Sequence, residues 1–292
     1  MSSRRAVGGR GFLSRKWRSL RLYVRCRARF WMDVAGLPSA IHYLIASGTL
    51  PRGRRTLVAV KFRSTKGNPV RCRVGTTDAA VIRDTFGGLS QLPPASLQDV
   101  RQILDLGSNI GATIVHYGHV FPECRILGVE MDRANYELCI ENTRHLGDRC
   151  RVLWGGVWST DGQIHYQGSE HWGYHISMGA GGASSPAFSM ATILRQIPGQ
   201  VDFLKMDIEG AERELLRDAS EWAGRVNCMK VEVHPPYSVE DCMRDLIAAG
   251  FRPERDPDQD NEIIAFNTRR LTWSNAESAG REFASQPVVS GG

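Results

Sequence analysis

Lys205, Asp207 and Glu209 alternate in the stretch "VDFLKMDIEGAE", and Glu232 and His234 alternate in "CMKVEVHPP". Side chains alternate across a strand, so each set falls on one face. An acid in an apolar run such as "FLKMDI" is costly to bury unless it meets a partner. Two chemistries suit the set. In the first, Asp207 takes a proton from a reacting hydroxyl, with Glu209, His234 and Lys205 beside it. In the second, Asp207, Glu209, Glu232 and His234 provide oxygen and nitrogen ligands for a divalent ion such as magnesium. Glu212 falls in the first turn of the next helix, where the helix dipole alone accounts for a carboxylate.

A second motif is "DLGSNIG", Asp105 to Gly111, between an apolar run and a segment with helical spacing. It lacks the Gly-Lys-Ser/Thr ending of a phosphate loop and the GxGxxG spacing of a dinucleotide turn. A carboxylate at the mouth of the turn repels a pyrophosphate and attracts a cation. S-adenosylmethionine carries both an ammonium and a sulfonium, so Asp105, Gly107, Ser108, Asn109 and Gly111 are expected to receive it. The next strand ends "GVEMD", which places Glu130 and Met131 where ribose hydroxyls would lie. The strand after that ends "WGGVW", where Gly156 permits close backbone approach and Val157 or Trp158 would meet adenine. Asp207 borders the same space.

Positioning these residues takes an alternating chain. "RQILDL", "CRILGVE", "RVLWGGVW", "VDFLKMDI", "CMKVEVH" and "EIIAFN" read as strands. Helices are expected over 110–121, 133–146, 211–219 and 238–249. The pattern implies right-handed βαβ units and a mostly parallel sheet covered by helices on both faces. "GQIHYQ" and "HWGYHISM" read as a hairpin carrying His165, His171 and His175. The region Trp172 to Pro186, which ends in the small residues "SMGAGGASSP", suits a mobile lid over the site rather than core. Trp154, Trp158, Trp172 and Tyr174 offer faces on which a sugar ring could stack. His116 and His119 are expected at solvated or core-edge positions of the first helix of the alternating region.

Residues 1–11 are mostly Gly, Ser and Arg and read as disordered. From Phe12, Leu13, Trp17, Leu20, Val24, Ala28 and Trp31 recur every three or four residues, with Arg18, Arg21, Arg25 and Arg29 on another face. Residues 1–32 hold ten Lys or Arg and no acid, so the net charge of +6 leaves the rest of the chain at −4. A basic extension is thus attached to a mildly acidic body. This disfavours a nucleic-acid enzyme, which spreads basic surface around its site. The extension either contacts an anionic membrane or acidic partner, or packs on its own domain with a solvated arginine face. The seven cysteines show no CxxC pair, which fits a reducing compartment, and the start has no secretory pattern. A cytoplasmic location is expected, with contact at the inner membrane surface left open. The segments are expected to be a basic extension (1–50), a β-rich subdomain (51–97), a cofactor-binding domain (98–270) and a tail (271–292).

"ILDLGSNIG", "GVEMDRANYELCIENT" and "VDFLKMDIEGAERELL" resemble the FkbM-type methyltransferase family, and "RVGTTDAAVIRDTF" resembles the stretch that precedes its core. The likeness runs from about residue 72 to 266. It implies a Rossmann-like class I methyltransferase fold with a seven-stranded sheet, and methyl transfer from S-adenosylmethionine to hydroxyls of sugars, glycans or polyketide-type metabolites. One departure is Leu194-Arg195, where the family often has Leu-Asp. A nucleic-acid methyltransferase and a nonenzymatic adaptor that keeps the fold are the alternatives.

Overall fold

Apolar runs bounded by glycine and aspartate turns set the strands of the computed structural model, which describes residues 9–167, 175–177 and 183–269. The chain begins with α1 (Gly9–Asp33), α2 (Gly36–Ala46), β1 (Leu57–Lys61), β2 (Pro69–Arg73), α3 (Asp78–Arg83) and a π-helical turn, Asp84–Gly88. Alternation follows as β3 (Gln102–Leu106), α4 (Ala112–Val120), β4 (Arg125–Glu130), α5 (Arg133–Thr143) and β5 (Cys150–Trp154). Next come β6 (Gly156–Val157), β7 (Gly162–Gln167), β8 (His175–Ser177), β9 (Ala183–Phe188) and α6 (Met190–Leu194). The chain continues with β10 (Val201–Met206), α7 (Glu212–Arg217), β11 (Val226–Glu232), α8 (Val239–Ala248), β12 (Phe251–Arg255) and β13 (Glu262–Asn267).

The central sheet has seven strands in the order β12-β13-β11-β10-β3-β4-β5. β11, β10, β3, β4 and β5 run parallel, while β13 is antiparallel to both neighbours. This is the Rossmann-like class I methyltransferase arrangement that the resemblance implied. β12, "FRPER", is an added strand that no periodicity announced. Its Pro253 is tolerated because β12 lies at the sheet edge and pairs with β13 alone.

Alternation along the strands divides the core. Ile103, Ile126, Val152, Phe203 and Cys228 pack with Ile114 and Tyr117 of α4 and Cys139 of α5. Leu104, Leu106, Val129, Leu204, Met206 and Val231 pack with Ile193 of α6, Leu215 of α7 and Leu246 of α8. A third cluster, built on Phe30, Val60, Phe62, Val70 and Phe86, closes over Ile110, Ala112 and Val115 and over Leu138 of α5. Phe62 and Phe86 stack there at 3.9 Å. The N-terminal elements therefore form a layer outside α4 and α5.

Three expectations change. Residues 9–11 are helical, because α1 starts at Gly9. The Leu20–Val24–Ala28 part of the stripe faces solvent, Trp31 is half-covered by Tyr43, and α1 packs instead through its Phe30 side. The small residues 183–187 belong to β9, which pairs with β6 and β7. Gly155 permits this, since a Cβ there would lie 2.4 Å from Phe188 and 2.9 Å from Pro186 O. The rest of the expected lid (residues 172–174 and 178–182), His171, Trp172, Tyr174, residues 1–8 and the tail 271–292 fall outside the described residues. No helix among the described residues is long and apolar enough to cross a membrane.

Candidate active site

At the carboxyl edge of the sheet, apolar alternation gives way to charge. Lys205 of β10 pairs in register with Asp105 of β3 on one side and Lys230 of β11 on the other, so the three share a face. Lys205 Nζ lies 3.4 Å from Asp105 Oδ1 and 3.2 Å from Asp207 Oδ2, and donates to Gly107 O at 3.0 Å. Burial opposes charge on Lys205, but Asp207 and Asp105 override it and hold its pKa above the ordinary value. Asp105 is fully buried and accepts a 2.6 Å hydrogen bond from Thr113 Oγ1. Burial pushes its carboxyl up, against the pull of Lys205 and Thr113.

Asp105 was expected to receive a cationic ligand, and the structure sets Lys205 against it. The parallel register supplies the cation from within the chain, and Asp105 lines neither cavity at the sheet edge. Gly111 also lines neither. Its φ of +80° opens α4, and a Cβ would stand 2.8 Å from Cys139 Sγ, so its role is to bring α4 against α5. Ser108 is buried, donates to Asp105 O at 3.0 Å and borders the larger cavity.

The smaller cavity brings together Gly107, Asn109, Glu130, Met131, Gly156, Val157, Asp207 and Glu209. Gly107 has φ +80°, and a Cβ there would lie 1.8 Å from Asp207 O, so the turn requires glycine twice over. Glu130 Oε2 accepts from Asn109 N and Oε1 from Asp132 N, each at 2.7 Å. Burial pushes its pKa up to about 7 despite those two donors. Trp158 lines neither cavity and packs at the margin of the core, and Trp154 likewise lines neither and donates to Met131 O at 3.1 Å. The stacking platform expected of these two is therefore absent from the described cavities. His165 on β7 also lines neither. His116 is buried against Gln91 and Phe86, and His119 contacts Asn68.

The larger cavity, ≈ 280 Å3, shares Gly107, Asn109, Asp207 and Glu209 with the smaller one. Lys205, Lys230, Glu232 and His234 add to it from the sheet edge, and Asp84, Thr85, Ser90 and Gln91 from the N-terminal layer. Glu212 organises its chemistry. This carboxylate is fully buried, accepts from Ile208 N at 3.3 Å and Gly210 N at 3.2 Å, and receives His234 Nδ1 at 2.8 Å. The loop 207–211 thus folds around Glu212, and Glu209 adopts φ 54° within it, in the left-handed region that residues with side chains rarely enter. His234 Nε2 faces Glu209 at 3.6 Å and Asp207 and Glu232 at 3.8 Å. Burial works against protonated His234, but the Glu212 hydrogen bond and the surrounding carboxylates raise its pKa to about 9. Burial and the Asp207 charge raise Glu232 to about 7, against the pull of His234.

Residues 105–266 match the family model described as the methyltransferase FkbM domain. The chain belongs to the FkbM methyltransferase family. No curated protein sequence matches it. Among solved structures, the METTL16 methyltransferase domain aligns with 12% identity and a TM-score of 0.39, over 65% of this chain and 65% of that one. The match therefore spans just under two thirds of that domain. Aeropyrum pernix fibrillarin in complex with natively bound S-adenosyl-L-methionine gives 16% identity and a TM-score of 0.38, over 73% of this chain and 94% of that one. The StiE O-methyltransferase segment gives 13% identity and a TM-score of 0.41, over 77% and 62%.

The smaller cavity of this FkbM methyltransferase, ≈ 70 Å3, suits the ribose end of the family's cofactor. Gly107 leaves bare backbone at its floor, and each Glu130 oxygen keeps a lone pair for a ribose hydroxyl after accepting its backbone N–H. Asp207, Glu232 and His234 also offer one ligand atom each within 4.8 Å of one another. A nitrogen with two carboxylates suits a first-row transition ion better than magnesium, which favours all-oxygen octahedra. Glu209, the expected fourth ligand, is outside this set, although its Oε2 lies 3.6 Å from His234 Nε2.

Two residues that the structure brings to the candidate site were missing from the expected one. Glu212 was legible as an acid but not as the support of His234. Lys230, buried and ion-paired with Asp256 at 2.6 Å and Glu262 at 2.8 Å, continues the alternation of Glu232 and His234, and that spacing was the available signal. It also donates to Ser90 O, tying the sheet edge to the N-terminal wall. Arg195, at the family departure, caps α6, donates to Thr192 Oγ1 at 2.6 Å and lines neither cavity.

Proposed function

We propose that this FkbM methyltransferase methylates a hydroxyl of a sugar, glycan or polyketide-type acceptor held in the larger cavity. The observation that carries the reading is the Glu212–His234 pair, whose Nε2 opens among Asp207, Glu209 and Glu232 beside the cofactor cavity. When bound, S-adenosylmethionine supplies an electrophilic methyl carbon on a sulfonium that departs as a neutral thioether. The chain's residues hold the acceptor oxygen in line with that carbon, roughly 3 Å away, and take its proton. Asp207, Glu232 and His234 form one coupled acid–base cluster, and the hydroxyl proton passes into it.

The lining supports a hydroxyl-rich acceptor. Carboxylates accept hydrogen bonds from several hydroxyls at once, and the cavity is near the lower end of ligand pockets, about 300–1,000 Å3. That size suits one terminal unit of a larger molecule. Asp84, Asp207, Glu209, Glu232 and Glu262 outnumber Lys205, Lys230 and protonated His234 around it, an acidic balance that speaks against a phosphodiester and so against a nucleic-acid acceptor. The three-residue donor set favours a second version, in which Asp207, Glu232 and His234 hold a divalent ion that acidifies the acceptor hydroxyl.

Incubation with methyl-labelled S-adenosylmethionine and a panel of glycosides, polyols, amines and oligonucleotides tests the reading. Label in a base-stable methyl ether, lost in His234→Asn, is expected. Label confined to amines or nucleic acid would reject the acceptor class. Cofactor binding with no transfer to any class would favour the adaptor. Loss of transfer on chelation, restored by manganese, would select the metal-assisted version.

A further inference from the structure

We propose that the outward face of α1 docks on an anionic lipid surface. Leu20 is 50% exposed, Val24 56% and Trp31 37%, with exposed Ala28 between them. At 100° per residue these four positions form one stripe along the helix. The stripe points away from the protein at Leu20, Val24 and Ala28, while Trp31 keeps one edge against Tyr43 at 5.5 Å; α1 is anchored by buried Phe30, which packs with Phe62 and Tyr43, and by Cys26 against the π-helical turn. A Cβ at Gly87 would lie 2.5 Å from Cys26 O, so that contact is backbone against backbone. Repacking the apolar face inward would require dismantling it.

The flanks of the stripe decide its occupant. Arg21 and Arg25 are exposed along one side, with 64%-exposed Met32 between them on the wheel. Exposed Arg27 lies along the other side, hydrogen-bonded to exposed Tyr23 at 2.6 Å. No acid occurs before Asp33. An apolar centre between two basic margins matches acyl chains below anionic headgroups, with the arginines reaching outward. A second copy of this helix would bring arginine against arginine, and a nucleic acid would leave the apolar centre unmatched. The sequence spacing of three and four continues back to Trp17 and Leu13.

Docking has a consequence for the site. The turn that α1 backs contributes Asp84 and Thr85 to the larger cavity, so that wall lies roughly one helix diameter, about 10 Å, from the lipid surface.

The test is co-sedimentation of the full chain with vesicles of equal parts phosphatidylcholine and phosphatidylglycerol, against vesicles of phosphatidylcholine alone. Wild type is expected to bind the anionic vesicles and release at high salt. Leu20→Ser/Val24→Ser and Arg21→Gln/Arg25→Gln are each expected to weaken partitioning at least tenfold, with S-adenosylhomocysteine binding unchanged as the check on folding. Three results overturn the proposal: no preference for anionic vesicles, equal partitioning of the variants, or a vesicle-free dimer that Leu20→Ser/Val24→Ser dissociates. Binding to polyglutamate without binding to vesicles would assign the face to an acidic protein instead.

Discussion

Glu212 Oε1 accepts a 2.8 Å hydrogen bond from His234 Nδ1, and the carboxylate has no solvent exposure. A buried acid that fixes one imidazole nitrogen leaves the other aimed at the cavity, as in an acid-oriented catalytic histidine. Glu212→Gln keeps an oxygen for the His234 bond and the loop N–H groups but removes the charge that favours imidazolium. Turnover is expected to fall on the order of 10²-fold while the affinity for S-adenosylhomocysteine stays within a factor of about two. Steady-state kinetics beside calorimetry checks this. Equal losses in cofactor binding and turnover would make Glu212 a support of the loop alone.

Lys205 bridges Asp105 at 3.4 Å and Asp207 at 3.2 Å. Lys205→Met leaves Asp105 fully buried with Thr113 as its remaining side-chain partner, so that it either carries an unpaired charge or must take up a proton, and is expected to cost about 3–5 kcal/mol of stability. Adding Asp105→Asn should restore much of it, because the unpaired charge is then gone. Denaturant melts of the two single variants and the double variant close the cycle. Additive losses would mean that the two residues act independently.

These residues show what a sequence discloses and what it hides. Glu130, Met131, Gly156 and Val157 were legible as residues of one cavity because each ends a strand whose apolar run is plain, and parallel strands put their carboxyl ends together. The partner of Asp105 was not, since pairing β3 with β10 joins residues about a hundred positions apart, and no local pattern encodes that register. Glu212 was masked by a helix-dipole explanation sufficient by itself. For α1, periodicity gave the correct stripe but not its direction. Spacing defines a face, whereas burial of that face depends on what packs against the helix.

Gly107 offers a sharper check on the turn. Its φ of +80° and a Cβ position 1.8 Å from Asp207 O penalise any side chain. Gly107→Ala is expected to lose about 1–3 kcal/mol of stability and to displace Asp207 from both cavities. Thermal melts and S-adenosylhomocysteine titration should fall together. Gly210→Ala is the control: it also has positive φ, but nothing lies within 4 Å of its Cβ position, so any loss there reports backbone strain without the collision.

Burial raises the Glu130 pKa to about 7, against the donors Asp132 N and Asn109 N. The carboxylate is therefore ionised above that pH and protonated below it, and ribose hydroxyls need the ionised acceptor. Affinity for S-adenosylhomocysteine is expected to weaken by up to about tenfold for each pH unit below 7, and to be flat above about pH 8. Stability of the cofactor-free protein moves the other way. The raised folded-state pKa contributes stability that is fully present below the ordinary carboxylate value of 4.5 and is lost as pH rises through about 7. Glu130→Gln should bind weakly at every pH, with a level profile. Calorimetric titration of both proteins across this range reads the sign directly, and a wild-type affinity independent of pH would remove Glu130 from the ribose contact.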